Sequence, residues 1–331
     1  MLGALRLMLD AWNVYYIPMD IIVTGSLGFD YIMDFPGRFA DRIMPEKIHS
    51  LSLSFLVDKL TKQFGGTAGN IAYSLNLLGT KPLILSAAGN DFTPYANHLR
   101  KQRIPLDHIT THRDVPTGSY FVVTDQEDNQ IGSFYVGASR YNERLSIKSV
   151  KQKPRFVILA PNDPGAMKKF VAQCRSLRLP YLYDPAFQIA SFTADELKTG
   201  IEGAAILIGN DYEIELIRQK LGVSHEQLVL MVPIVLTTIG SKGSIIETKQ
   251  ESIHIKPAAV KNTSDPTGAG DAYRAGFLAG YLRKFDLPTC GQMGSVAAAY
   301  TVETYGTQTH TFTKKEFCTR YEENFGAEVA L

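Results

Sequence analysis

The residue best placed to do chemistry is Asp271, in the stretch DPTGAGDAYRAGFLAGYL (265–282). Gly268 and Gly270 precede it in a loop, and Ala275, Leu278, Ala279 and Leu282 follow at helical spacing, so its carboxylate should stand at a helix N-terminus. There the first backbone N–H groups have no partner inside the helix and point at whatever binds in front of them. Glycine lets the backbone curl and approach an anion closely, so Gly268, Ala269 and Gly270 can form a nest for negative charge developing on a group in transfer. A carboxylate beside such a nest is awkward unless it accepts a proton from an incoming hydroxyl. Phosphoryl transfer to an alcohol needs that pairing of a base with fixed dipoles. The plain alternative is an Asp that caps a helix, stabilising it by about 1 kcal/mol.

Other stretches carry polar groups where strands end. DIIVTGSLGFD (20–30) reads as a β-branched strand that delivers Ser26 and then Asp30, a surface turn acid on its own reading. In FGGTAGNIAYSLNLLG (64–79) the pair Gly65-Gly66 should start a helix with Ile71, Ala72, Leu75 and Leu78 on one face. AAILIGNDYEIELI offers Asn210 as a helix N-cap with Glu213 in the first turn.

The string DPTGAGD resembles the D-[TP]-[TN]-G-A-G-D signature of the ribokinase (PfkB) family of ATP-dependent kinases. The resemblance implies Asp271 as catalytic base, with Gly268, Ala269 and Gly270 as the anion hole. Family elements match elsewhere. GSLGFD implies Ser26 and Asp30 on the sugar hydroxyls, and GGxxxN implies Gly66 and Asn70 beside them. VLTTIGSKGSIIE resembles a T-x-G-x-x-G segment and implies Thr237, Gly240 and Gly243 around the triphosphate, together with Asn210, Gly268 and Gly270. An NxxE element implies that Glu213 acts on Mg²⁺ indirectly, through water. PGRF, SLSFLVD and VETYGTQ look like bacterial adenosine kinases within the family. By that narrower likeness Ser54, Tyr120, Phe134 and Gln188 join the substrate site, although Phe187 stands where a Gln is expected.

The elements that must hold these groups alternate. From 155 onward RFVILA, PGAMKKFVAQCRSL, YLYDP, a helix through 193–203 and AAILIGN predict parallel strands with crossover helices. SLSLSFLV alternates as a half-buried strand should, and PTGSYFVVTDQEDNQIGSFYVGAS (116–139) reads as a hairpin around DQEDN. MGSVAAAYTVETYGTQTH (293–310) reads as a small-residue helix ending at Gly306, suited equally to tight packing or to an adenine face. The expected fold is a ribokinase-like three-layer α/β/α sandwich with a small β-sheet lid: core 19–30, 58–115 and 139–325, lid 31–57 and 116–138. Residues 1–18 are too short to span a bilayer, carry Arg6 and Asp10, and read as an extension from an upstream start codon.

Composition excludes several partners. With 34 basic and 33 acidic residues the net charge is +1, which marks neither nucleic acid nor a membrane surface as a partner. Cys174, Cys290 and Cys318 are unpaired in spacing and point to a reducing, cytoplasmic setting. The resemblance then implies transfer of the ATP γ-phosphoryl to the 5′-hydroxyl of adenosine in purine salvage, with Mg²⁺, a monovalent cation such as K⁺, and a homodimer through the lid. Two rivals stay open: a family kinase for another nucleoside or a free sugar such as ribose or fructose, and a catalytically silent nucleotide-binding protein.

Overall fold

Ile21, Ile22 and Val23 are all fully buried, yet they serve two cores. They lie on strand β1 (Asp20–Thr24), whose side chains alternate between faces: Ile21 and Val23 pack in one apolar cluster and Ile22 in the other. In the computed structural model, which describes residues 20–331 apart from 51, 128, 152 and 153, the same split recurs along the sheet. Ile158 parts from Val157 and Leu159, and Ile206 and Ile208 part from Leu207. A sheet covered by apolar helices on both faces explains why these strands read as unbroken hydrophobic runs. The extension expected at 1–18 lies outside the described residues.

Along the chain follow β2 (Gly28–Asp34), β3 (Lys59–Gly65), α1 (Thr67–Leu77), β4 (Lys81–Ala88), α2 (Thr93–Lys101), β5 (Ile109–Thr111), β6 (Gly118–Thr124) and β7 (Gln130–Tyr135). The second part runs β8 (Phe156–Leu159), α3 (Pro164–Leu177), β9 (Tyr181–Tyr183), α4 (Ala194–Glu202), β10 (Ile206–Asn210), α5 (Asp211–Leu221) and α6 (His225–Met231). It closes with β11 (Ile234–Thr238), β12 (Ser244–Glu247), β13 (Ser252–Ile255), α7 (Ala269–Leu282), α8 (Leu287–Val302) and α9 (Lys314–Phe325).

The large sheet has the order β13-β12-β11-β10-β9-β8-β1-β4-β5. It is parallel from β11 to β5, and β12 and β13 add an antiparallel edge. Strand order reverses at β1, with early strands on one side and late strands on the other. The crevice at the strands' C-terminal ends beside β1 is where such sheets take ligands. A second sheet, β3-β2-β6-β7, stands apart from the first.

Two readings need correction. The alternating SLSLSFLV forms no strand in its described residues, 50 and 52–57; β3 begins at Lys59 and pairs with all of β2, Gly28 opposite Gly65 through Asp34 opposite Lys59. Residues 59–65 use up β2, so the alternation before them has no strand to join. Phe55 instead closes an aromatic cluster with Phe35 and Phe39, its ring centroid 5.0 Å from each. The small-residue helix, α8, runs from Leu287 to Val302 and stops short of Gly306. Its Gly294 lies against Tyr273, and a Cβ at Gly276 of α7 would stand 2.4 Å from the Met293 carbonyl. Packing against α7 therefore accounts for its small residues.

The predicted 116–139 hairpin is present as antiparallel β6 and β7. Cys174, Cys290 and Cys318 are free thiols, and burial pushes Cys174 and Cys290 up to about 12, out of reach of thiolate chemistry. Among the described residues no helix is long and apolar enough to cross a membrane.

Candidate active site

The first turn of α7 is set by its N-cap. Gly268 has φ +79°, the left-handed region that glycine tolerates, and a Cβ there would stand 2.8 Å from Thr307 Cγ2. The preceding loop is pinned by Asp265, whose carboxylate accepts from Thr267 N (2.9 Å) and Gly306 N (3.1 Å). Ala269 N–H donates to Pro266 O at 3.2 Å. Gly270 and Asp271 follow as the next N–H groups, which a helix start leaves without partners of its own. Asp271 is the third residue of the helix.

Asn70 ties this turn to the far end of the sequence and to α1. Its Nδ2 donates to Asp271 Oδ2 at 2.9 Å, while its Oδ1 accepts from Thr307 Oγ1 (2.8 Å) and Gln308 Nε2 (2.9 Å). Two donors on the oxygen fix which way the amide points, so its N–H groups face the base. Gln308 is also bonded to the hydroxyl of Tyr95, which donates to Gly65 O at 2.8 Å. Burial raises the Asp271 carboxyl; the Arg274 charge and the Asn70 bond partly offset it.

Asp30 faces the same space from the second sheet. Only 6% exposed, it is pushed up to about 7 by burial and then by the charges of Asp271 and Asp265. Its carboxyl lies on Gly65, where a Cβ would stand 2.1 Å from Oδ2, so no side chain fits at 65. Directly opposite residues on adjacent strands share a face. Asp30 stands opposite Tyr120, and Tyr120 opposite Phe134, so the three form one row across β2, β6 and β7. Phe187, 62% exposed, approaches from the large sheet with its ring centroid 6.4 Å from that of Phe134.

The remaining candidates separate. Ser26 Oγ accepts from Thr67 N (3.2 Å) at the start of α1, and Gly66 is that helix's N-cap with φ +85°. Asn210 and Glu213 form a reciprocal capping box, Glu213 N to Asn210 Oδ1 at 2.7 Å and Asn210 N to Glu213 Oε2 at 2.8 Å. Thr237 is the penultimate residue of β11, with a buried hydroxyl that has no hydrogen-bond partner. Gly240 and Gly243 bracket the turn into β12. Gln188 Oε1 accepts from Ser191 Oγ at 3.1 Å, and Ser54 is exposed in the irregular run before β3. The geometry thus joins Asp30, Asn70, Asp271, Tyr120 and Phe134, and joins neither Ser54 nor Gln188 to them.

Sequence reasoning missed Tyr95, Asp184, Arg274, Thr307 and Gln308, and met Phe187 only as a departure from an expected Gln. The signal for Arg274 was in view, a charge three residues after Asp271 on an apolar helix. Thr307 and Gln308 lay in the string VETYGTQ, but what they touch is set by folding.

Residues 35–314 match the family model described as pfkB family carbohydrate kinase. The chain is 33% identical over 316 residues to a nucleoside kinase of Methanothermobacter thermautotrophicus, covering 94% of this chain and 98% of that protein. A nucleoside kinase of Burkholderia thailandensis, solved in complex with inosine, superposes with a TM-score of 0.87 at 30% identity over 93% of this chain and 99% of that one. The adenosine kinase of Sinorhizobium meliloti, at 17% identity and a TM-score of 0.74 over 92% of this chain and 99% of that one, is a likeness of fold.

Proposed function

The chain belongs to the pfkB family of carbohydrate kinases, and we propose that within it this protein transfers the ATP γ-phosphoryl to the 5′-hydroxyl of a purine nucleoside, adenosine foremost. The observation that carries this reading is the row Asp30, Tyr120 and Phe134, with Phe187 beside it and Asp271 within electrostatic reach of Asp30. One carboxylate offers two oxygens to vicinal ribose hydroxyls, and aromatic rings at one stagger along the row suit a flat base. The relatives named nucleoside kinase, and the solved complex of one of them with inosine, support a nucleoside over a free sugar.

On this reading Asp271 takes the 5′-hydroxyl proton as the oxygen attacks, and Asn70 keeps the carboxylate aimed. The amides of Gly268, Gly270 and Asp271 face the transferred charge, the Ala269 N–H being held by Pro266 O. Thr237, Gly240, Gly243 and Asn210 border the nucleotide. Mg²⁺ would ride on phosphate oxygens and water with Glu213 holding water, which suits an ion that binds few protein carboxylates. A monovalent cation beside 265–271 belongs to the same proposal. Closure of the second sheet, the lid, would exclude water from the transfer. Purine salvage in the cytoplasm is the setting this implies.

The test is ADP release by purified protein across adenosine, inosine, guanosine, cytidine, ribose and fructose, with Mg²⁺ and K⁺ omitted in turn. Purine nucleosides, adenosine among them, should be turned over best; a preference for ribose or fructose would refute the substrate and keep the family reaction. Phe134→Ala should raise the nucleoside KM about tenfold while leaving any slow turnover of ribose unchanged. An equal loss on both would move Phe134 out of base recognition. The exposed edge strand β7 would pair two copies as a homodimer; a monomer in sedimentation at micromolar concentration would remove that part.

A further inference from the structure

Arg274 stands beside Gly270, in the turn that the kinase reading assigns to the phosphoryl group. It lies one turn into α7, and its guanidinium folds back toward the helix start: a Cβ at Gly270 would stand 2.7 Å from Nη1. Its Nε is 2.5 Å from Oδ2 of Asp184, the residue that follows β9. That carboxylate is only 1% exposed, and neither of its oxygens receives a directed hydrogen bond. The contact is therefore a buried ion pair that holds one edge of the guanidinium and leaves the other turned toward Gly270. Asp271 and Glu213 add their negative charge around the same cation. Helix geometry sets the Arg274 side chain over Gly270, four residues earlier, and pairing with Asp184 fixes Nε, so that Nη1 lies beside the first turn of α7.

We propose that Arg274 is a further catalytic residue, whose Nη edge contacts the γ-phosphoryl group seated on the α7 N-terminus while Asp184 holds Nε in place. In the transfer, the bond from the γ-phosphorus to the ADP oxygen breaks and its electron pair leaves with ADP. The bond to the nucleoside 5′-oxygen forms, and the hydroxyl proton passes to Asp271. Arg274 exchanges no proton; it meets the charge on the non-bridging oxygens, as planar guanidinium groups do for phosphate. Glycine at 270 keeps the path between guanidinium and amides clear.

The inference rests on the kinase reading, and its test separates the two. Calorimetry compares ADP with the non-hydrolysable β,γ-methylene analogue of ATP, alongside kcat and KM, for the wild type and for Arg274→Gln. The variant should bind ADP within about threefold of wild type but bind the analogue about tenfold more weakly, with kcat down about 10²–10³-fold and the nucleoside KM within about threefold. Unchanged analogue-to-ADP selectivity in the variant would overturn the role of Arg274 alone. A wild type that binds neither nucleotide would overturn the kinase reading and this proposal together. If Arg274→Gln does not fold, Asp184→Asn serves: it keeps the cation and releases Nε, and should also weaken the analogue more than ADP, equal binding again overturning the proposal.

Discussion

Asp271→Asn should give a folded protein whose turnover is lowered by about 10²–10⁴-fold, the usual contribution of a positioned base, with the nucleoside KM little changed. The substitution preserves shape, and the amide oxygen can keep accepting from Asn70 Nδ2, now at 2.9 Å from Asp271 Oδ2. What it removes is the group able to take a proton. It also removes a negative charge that helps raise Asp30, so the pH midpoint for nucleoside binding should move down in the same variant. A loss of turnover without that movement would mean the two carboxylates do not share one site. Near-normal turnover with normal folding would take Asp271 out of the base role altogether.

The parts of the fold and site that were legible in the sequence are those fixed locally. The N-terminus of α7 was, because Gly268 and the helical spacing after Asp271 are neighbours in the chain. So were the parallel strands, whose buried runs record a sheet covered on both faces. What depends on the choice of partner was not legible. The alternation in SLSLSFLV is real, but β2 had its full length taken by residues 59–65. The end of α8 at Val302 is set by Ser264 N and Asp265 N, which draw its carbonyl into the base loop at 2.8 and 3.2 Å. Its start, expected at 293, lies at Leu287, where Asp286 caps the helix through Thr289 N with Pro288 in the first turn. Asn70 and Asp271 are 201 residues apart, and no spacing rule connects them; their bond arises because α1 and α7 both begin at the same crevice.

The same crevice sets a conflict between stability and binding at Asp30. Its carboxyl is raised to about 7 from 3.8, so the folded state holds a proton that the unfolded chain has already released between those values. Stability from this group is therefore fully present below about pH 4 and is lost as pH rises through 7. At pH 8 the protein carries a buried carboxylate beside two others. Asp30→Asn keeps the shape and removes that charge, so its Tm at pH 8 should exceed wild type by several degrees and the difference should vanish near pH 4. Binding runs the opposite way. Ribose hydroxyls donate best to an ionised carboxylate, so the wild-type nucleoside KM should fall as pH rises through about 7, while the variant shows a flat profile with KM about 10²-fold higher, as expected for two lost charge-assisted bonds. Calorimetric melting and initial rates across pH 5–9 measure both. A variant no more stable than wild type at pH 8 would refute the buried-charge argument, and an unchanged KM would refute the clamp; the higher Tm and the raised KM expected of the variant would together describe a site that gives up stability when empty and recovers it when hydroxyl donors arrive.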